Sequence, residues 1–250
     1  MTSLLLAIQF LTVFPLKISD VNERKLANSL IYFPLVGLLI GLILAGLGIV
    51  LFDLHFYEFT VAVILVVALT VITGGMHLDG LSDTFDALMS GKNKEKRLEI
   101  MRDSHAGVMG VISIVCALLL KAAFIFSLRP QDRPIVLILV CTLSRWSLVE
   151  VMFFFPYARS EGKAKIFMNN ITFRIFLLAT IITLIFAVLI WRVKGLFLFL
   201  VAGFTAWLFS KLISRKIGGI TGDTLGATIE LTEIITLFII CIYQRGAVYG

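Results

Sequence analysis

Three aspartates, Asp79, Asp83 and Asp86, fall within eight residues of the stretch GGMHLDGLSDTFDAL (74–88). The chain around them is very apolar, with 59% hydrophobic residues. Carboxylates spaced this closely repel one another unless a cation holds them, each like pair at i,i+4 on a helix costing about 0.2–0.5 kcal/mol. At roughly 100° per residue, a helix projects all three from one arc of about 60°. A solvated helix start explains one or two acids in its first turn, where they suit the macrodipole. It does not explain a third at i+7 on the same face. Oxygen donors without cysteine favour a hard ion such as Mg²⁺ over Zn²⁺. Mg²⁺ keeps waters and takes one or two carboxylates plus substrate phosphates. Asp79, Asp83 and Asp86 are therefore expected to hold Mg²⁺ for a phosphorylated substrate. His77 projects away from the acidic arc, and phosphate binding and ordering of the loop are both open to it.

A second polar island, GGITGDTLGATIEL (218–231), lies on GGMHLDGLSDTFDA (74–87) without a gap. Gly, Gly, Asp, Leu and Thr coincide, and Glu230 falls where Asp86 falls. Asp223 and Glu230 are again seven apart and share a helical face, with Gly226 and Ala227 beside it. Both islands are expected to converge on one cleft at one membrane face. Charges inside apolar segments are costly and mark function, which singles out Lys121, Arg145 and Glu150. Arg145 and Glu150 differ by roughly 140° around a helix, so they do not pair with each other. Arg145 is expected to line a polar cavity and to meet a carboxylate or substrate, whereas Lys121 can snorkel. Arg159, in FPYARSEG, is a phosphate-binding candidate or a plain basic flank.

The elements that position these residues are apolar helices. Only 15% of the 250 residues are charged, against about 25% in a soluble domain. The uncharged run from Leu30 to Phe52 is 23 residues long, enough to cross a hydrocarbon core as a helix. Expected spans are 30–52, 59–76, 106–128, 134–155, 172–191, 195–210 and 224–243. MTSLLLAIQFLTVFP lacks a basic region and a cleavage site, and its apolar stretch is too short to span, so it reads as an interfacial or re-entrant helix. The chain is thus expected to be all-α and polytopic, a single integral-membrane catalytic domain over 1–250 with a polar segment at about 75–107. Within that segment KEKRLEIMRDS (94–104) is helix-like.

Of the 22 Lys and Arg residues, fifteen fall in one set of loops and five in the opposite set, with Lys121 and Arg145 inside spans. The positive-inside bias puts the acidic stretch in the cytoplasm, and the net charge of +6 reflects topology and anionic lipid. No basic stripe with interleaved aromatics supports nucleic-acid binding. Cys116, Cys141 and Cys241 lie in apolar runs and read as small buried hydrophobes. Gly37 and Gly41 have GxxxG spacing, open to a homo-oligomer contact or to packing within the chain.

GGMHLDGLSDTFDAL, RLEIMRDSHAGVMGV, SRW followed by FPYARSEG, and GGITGDTLGATIELTE resemble the signature blocks of the cobalamin synthase family, the adenosylcobinamide-GDP ribazoletransferases. QFLTVFP and YFPLVGLLIG (32–41) extend the likeness over nearly the whole chain. His105 departs from the basic residue frequent there and is not placed in the site. The resemblance implies a Mg²⁺-dependent transfer at the inner membrane. A ribose hydroxyl of α-ribazole, or of its 5′-phosphate, attacks the cobinamide-bound phosphorus of adenosylcobinamide-GDP and releases GMP. It also implies substrate binding by His77, Arg102, Asp103, Arg145, Arg159 and Glu230. Asp79, Asp83, Asp86 and Asp223 would be catalytic, with Asp86 and Asp223 both candidates for the base.

Other readings use similar residues. CDP-alcohol transferases place Ala-Arg after the first Asp-Gly, whereas Leu81-Ser82-Asp83 follows Asp79-Gly80 here. An Asp-rich prenyltransferase would also bind a Mg²⁺-diphosphate. A cation-coupled transporter could use Lys121, Arg145, Glu150 and two Gly-rich interruptions, but its site belongs at the midplane rather than at one face.

Overall fold

A computed structural model describes residues 2–18, 21–103 and 105–249. Among them every regular element is helical. The elements are α1 (Thr2–Leu11), α2 (Glu23–Ser29), a single 3₁₀ turn, α3 (Phe33–Asp53), α4 (Glu58–Ile72), α5 (Met76–Met89) and α6 (Lys94–Ile100). There follow α7 (Val108–Ser127), α8 (Arg133–Phe154), α9 (Lys163–Asn170), α10 (Phe173–Ile217) and α11 (Gly222–Tyr249). In a bilayer only such internally hydrogen-bonded segments, or a closed barrel, can cross.

Five helices are long and apolar enough to cross a membrane, or six if the bent α4–α5 pair is one span. One of the five, α10, is not a rod. At 45 residues it would be roughly 67 Å long, twice the hydrocarbon thickness. Trp191 and Arg192 leave helical angles, and Gly195 returns against the Ala187 carbonyl. The arms 173–190 and 193–217 therefore lie side by side, matching the expected spans 172–191 and 195–210, with the second longer than expected. Conversely, α4 has only 15 residues. The chain turns by 89° between α4 and α5, at Gly74 and Gly75, whose φ angles of 64° and 69° suit glycine. The acidic α5 is thereby taken off the span. With α10 counted as two arms, the seven expected apolar segments are present, and α1 is the short N-terminal helix. The helix-like piece expected over 94–104 is α6, which ends at Ile100; Ser104 lies outside the described residues.

Alternation of seven segments puts 73–107, 155–172 and 218–221 at one end of the bundle. The opposite end is tied by an Arg133–Glu58 ion pair and by Gln244, which accepts from the Arg129 amide at 3.0 Å and donates to Asp132 at 3.0 Å. At the bundle's centre, α8 is buried along most of its length. Gly37 and Gly41 let α3 lie against it, since a Cβ on Gly41 would stand 2.5 Å from Ile138 Cα. The GxxxG pair is thus used within the chain. Phe10 of α1 stacks on Phe33 and meets Phe167 at a tilt, with ring centroids 5.7 and 4.7 Å away, which pins α1 and α9 onto α3. Cys141 and Cys241 are buried as expected, but Cys116 is exposed on the outer side of α7, where an apolar run faces lipid rather than protein.

Candidate active site

Each acidic block starts at a Gly-Gly turn. Gly218 and Gly219, with φ of 81° and 156°, end α10 as Gly74 and Gly75 end α4. Asp79 and Asp223 then stand in the first turns of α5 and α11. The two helices cross at glycines. A Cβ on Gly80 would lie 2.6 Å from the Asp223 carbonyl oxygen, and one on Gly226 would lie 3.2 Å from His77 Cα. Side chains there would drive the helices apart, so the small residues are what bring Asp79 and Asp83 beside Asp223.

The loop 155–162 completes the mouth. Ile220 N donates to the Pro156 carbonyl at 2.9 Å and Ala158 N to the Ile220 carbonyl at 2.8 Å. This short bridge holds Arg159 over the start of α11, where its guanidinium donates to Asp223 Oδ2 at 2.6 Å. The Thr221 hydroxyl donates to the same oxygen at 3.4 Å. Asp83 feels the whole group: burial first, then the charges of Asp79, Asp223 and Asp86, push its carboxyl up to about 7, with Arg159 opposing. Tyr157 stands beside Arg159, and burial raises its hydroxyl.

A cleft of about 490 Å³ opens here, lined by Asp79, Asp223, Arg159, Tyr157 and His77, with Phe10 of α1 on its wall. His77 is 5% exposed and its Nε2 has no hydrogen-bond partner. Burial, helped by the nearby Arg145 charge, pushes the ring down to about 3, so it is neutral. Grooves at Ala45–Leu137 and Trp191–Tyr243 are almost wholly apolar and lie towards the opposite end of the bundle. Chemistry selects the acidic cleft.

Asp86 is engaged elsewhere. Its carboxylate accepts from Gly107 N at 2.7 Å and Gly110 N at 2.8 Å, at the N-terminus of α7, where a negative group is favoured. Among the described residues no three His, Cys, Asp or Glu side chains stand together as a metal-ligating group. What converges is a pair of carboxylates from α5, with Asp223 and Arg159 adjacent. That donor set fits a hard cation shared with phosphate oxygens, not a cage built from protein alone.

The sequence profile of the cobalamin-5-phosphate synthase family matches residues 3–241. The chain belongs to this family. The adenosylcobinamide-GDP ribazoletransferase of Desulforamulus reducens is 37% identical over 246 residues, covering 98% of each chain. The one from Fusobacterium nucleatum is 36% identical over 268 residues, covering 96% of each. That of Roseiflexus is 40% identical over 235 residues, covering 92% of this chain and 86% of the relative. No solved structure matches. Family membership sets aside the CDP-alcohol, prenyltransferase and transporter readings.

Within this family member the other expected residues are distributed as follows. Arg102 and Asp103 are exposed beside the mouth, and Asp103 is paired with His105 at 2.6 Å. Arg145 and Glu230 lie beneath the cleft. Arg145 is fully buried and pairs with Glu233, while Glu230 meets Lys121 at 2.7 Å. Lys121 also pairs with Glu233, so it does not snorkel. Ser144 Oγ donates to Glu233 Oε1 at 3.2 Å and accepts from Arg145 Nη1 at 2.9 Å. Sequence reasoning missed Glu233, the hub of this network, although two acids three apart in an apolar helix were the signal. It also missed Phe10 and Tyr157, whose aromatic type alone gave no signal.

Proposed function

We propose that this protein transfers the adenosylcobinamide phosphate moiety of adenosylcobinamide-GDP to α-ribazole or α-ribazole 5′-phosphate, releasing GMP, with Mg²⁺ as cofactor. One observation carries the reading: the two acidic blocks of a family member, far apart in sequence, close on a single cleft with Arg159 between them. A ribose hydroxyl forms a bond to the cobinamide-bound phosphorus, the bond from that phosphorus to the bridging oxygen breaks, and the oxygen leaves with GMP. Asp223, oriented by Arg159 and Thr221, takes the hydroxyl proton as attack proceeds. Arg159 faces the diphosphate charge across the mouth. Asp79 and Asp83 are the residues that would hold the cation. Bound Mg²⁺ supplies charge neutralisation as the bridging oxygen departs. Asp86 positions α5 against α7. Arg145 and Glu230, with Lys121 and Glu233, support the cleft from below. The face carrying fifteen basic residues is the cytoplasmic face of the inner membrane.

The test is turnover by purified protein supplied with adenosylcobinamide-GDP, α-ribazole and Mg²⁺, followed as GMP release and as the new phosphodiester. Asp83→Asn assayed over a Mg²⁺ titration should abolish transfer or raise the metal requirement while the fold is kept. Folded wild-type protein that releases no GMP refutes the assignment.

A further inference from the structure

The cleft is small for this reaction. About 490 Å³ is the size of a drug-like ligand site, sufficient for a nucleoside but several times too small for a corrin macrocycle with its side chains and adenosyl group. Its lining is also graded. Asp223 is at the mouth, and Ile229 lies six residues further along α11, about 9 Å deeper at 1.5 Å per residue. Leu148 reaches the same depth on α8, six residues before that helix ends, and Leu225 lies between. The base of the cleft is therefore aliphatic. Phe10 and Tyr157 add two aromatic rings to its walls. Two buried polar atoms of the lining are left without a partner, His77 Nε2 within the cleft and Arg159 Nε at its mouth. A buried polar atom of this kind asks for a hydrogen bond from whatever fills the space.

We propose that this cleft is the acceptor subsite, holding the flat benzimidazole base of α-ribazole against Phe10 and the Leu148–Ile229 floor, with its ribose at Asp79 and Asp223, while the corrinoid stays above the membrane surface. The assignment rests on the function proposed above. The donor's guanine is the competing aromatic occupant, and the floor argues against it. Guanine carries several donors and acceptors on its edges, and burying them on Leu and Ile leaves them unpaired at about 1–3 kcal/mol each. A dimethylbenzimidazole presents methyl groups and one ring nitrogen, which matches an aliphatic floor and a single unpartnered imidazole nitrogen. With the base inserted and only the diphosphate arm of the donor reaching the mouth, the bulky corrinoid needs no cavity.

The experiment is binding and bisubstrate kinetics in lipid nanodiscs. Wild-type protein should bind α-ribazole without donor present, and GMP should fail to displace it. Phe10→Ala should raise KM for α-ribazole about tenfold and leave KM for adenosylcobinamide-GDP within twofold. Leu148→Phe should penalise α-ribazole more than a riboside carrying a single-ring imidazole base. Displacement by GMP, or a Phe10→Ala effect on the donor KM alone, overturns the assignment. The wild-type competition stands even where a variant fails to fold. Absence of any GMP release by wild-type protein, with α-ribazole still bound, would count against the proposed function and not against the subsite.

Discussion

Replacing Gly80 by alanine tests whether the α5–α11 crossing builds the site. The new Cβ would sit 2.6 Å from the Asp223 carbonyl oxygen and 3.1 Å from its Cα. Ordinary contact begins near 3.4 Å, so the helices must separate by 3.4 − 2.6 = 0.8 Å. The obstructing atoms are backbone, which cannot rotate away. Overpacking of this kind costs about 1–3 kcal/mol, and alanine returns about 1 kcal/mol of helix propensity over glycine. The net loss is therefore about 0–2 kcal/mol, which a folded bundle survives. Catalysis is more sensitive, because a displacement near 1 Å between reacting groups costs on the order of 10²-fold. Gly80→Ala should melt close to wild type in detergent yet release GMP about 10- to 100-fold more slowly at saturating Mg²⁺. Gly46, which has nothing within 4 Å of its would-be Cβ, is the control, and Gly46→Ala should stay within twofold of wild type. Equal rates for the two variants would refute the claim that this crossing sets the distance between the acidic blocks.

Three further outcomes follow from the same geometry. Glu233→Leu strands Arg145 in the bundle and leaves Lys121 with Glu230 alone; it should cost about 3–5 kcal/mol, read as a lowered melting temperature, whereas a loss under 1 kcal/mol would show that the network adds little. Asp86→Ala removes the carboxylate at the start of α7 and should destabilise by about 0.5–2 kcal/mol, measured by thermal melting of the same preparation. Asp83, with its carboxyl raised to about 7, is protonated below that pH and ionised above it, and only the ionised form competes for a cation. The Mg²⁺ concentration for half-maximal rate should therefore fall by about tenfold per pH unit up to roughly 7 and then level off. A flat profile from pH 5.5 to 8 would remove Asp83 from metal binding.

The apolar segments were legible because length and hydrophobicity alone dictate a crossing helix. The reversal at Trp191–Arg192 was harder to read, since neither proline nor glycine stands at the break, and only the uncharged runs on either side betray two segments. The shared arc of Asp79, Asp83 and Asp86 follows from helical periodicity. Periodicity cannot say what each part of that arc faces. Asp79 meets the start of α11, while Asp86, two turns further on, meets the start of α7. The partner of Arg145 was unreadable for a related reason. It lies on α11, and which apolar helices touch is decided by glycine positions on several of them at once.

The charges buried below the cleft and those at its mouth belong to one physical problem. Asp79, Asp83 and Asp223 repel one another, so a bundle held only by dispersion between apolar helices would relieve the strain by letting α5 swing outwards. Two features oppose this. The Gly80 and Gly226 crossing puts backbone against backbone, where there is no side chain to rearrange. One helical turn beneath Leu148 and Ile229, Glu233 of α11 is tied to Arg145 of α8 and to Lys121 of α7. Of these, α8 and α11 line the cleft, and α7 is the helix whose N-terminus Asp86 grips. Breaking one ion pair would leave a charge unpaired in an apolar interior, which costs more than the repulsion at the mouth could recover. The acids are thus held together from below and from the side, so that the repulsion among them can be relieved by the cation proposed above and not by movement of α5.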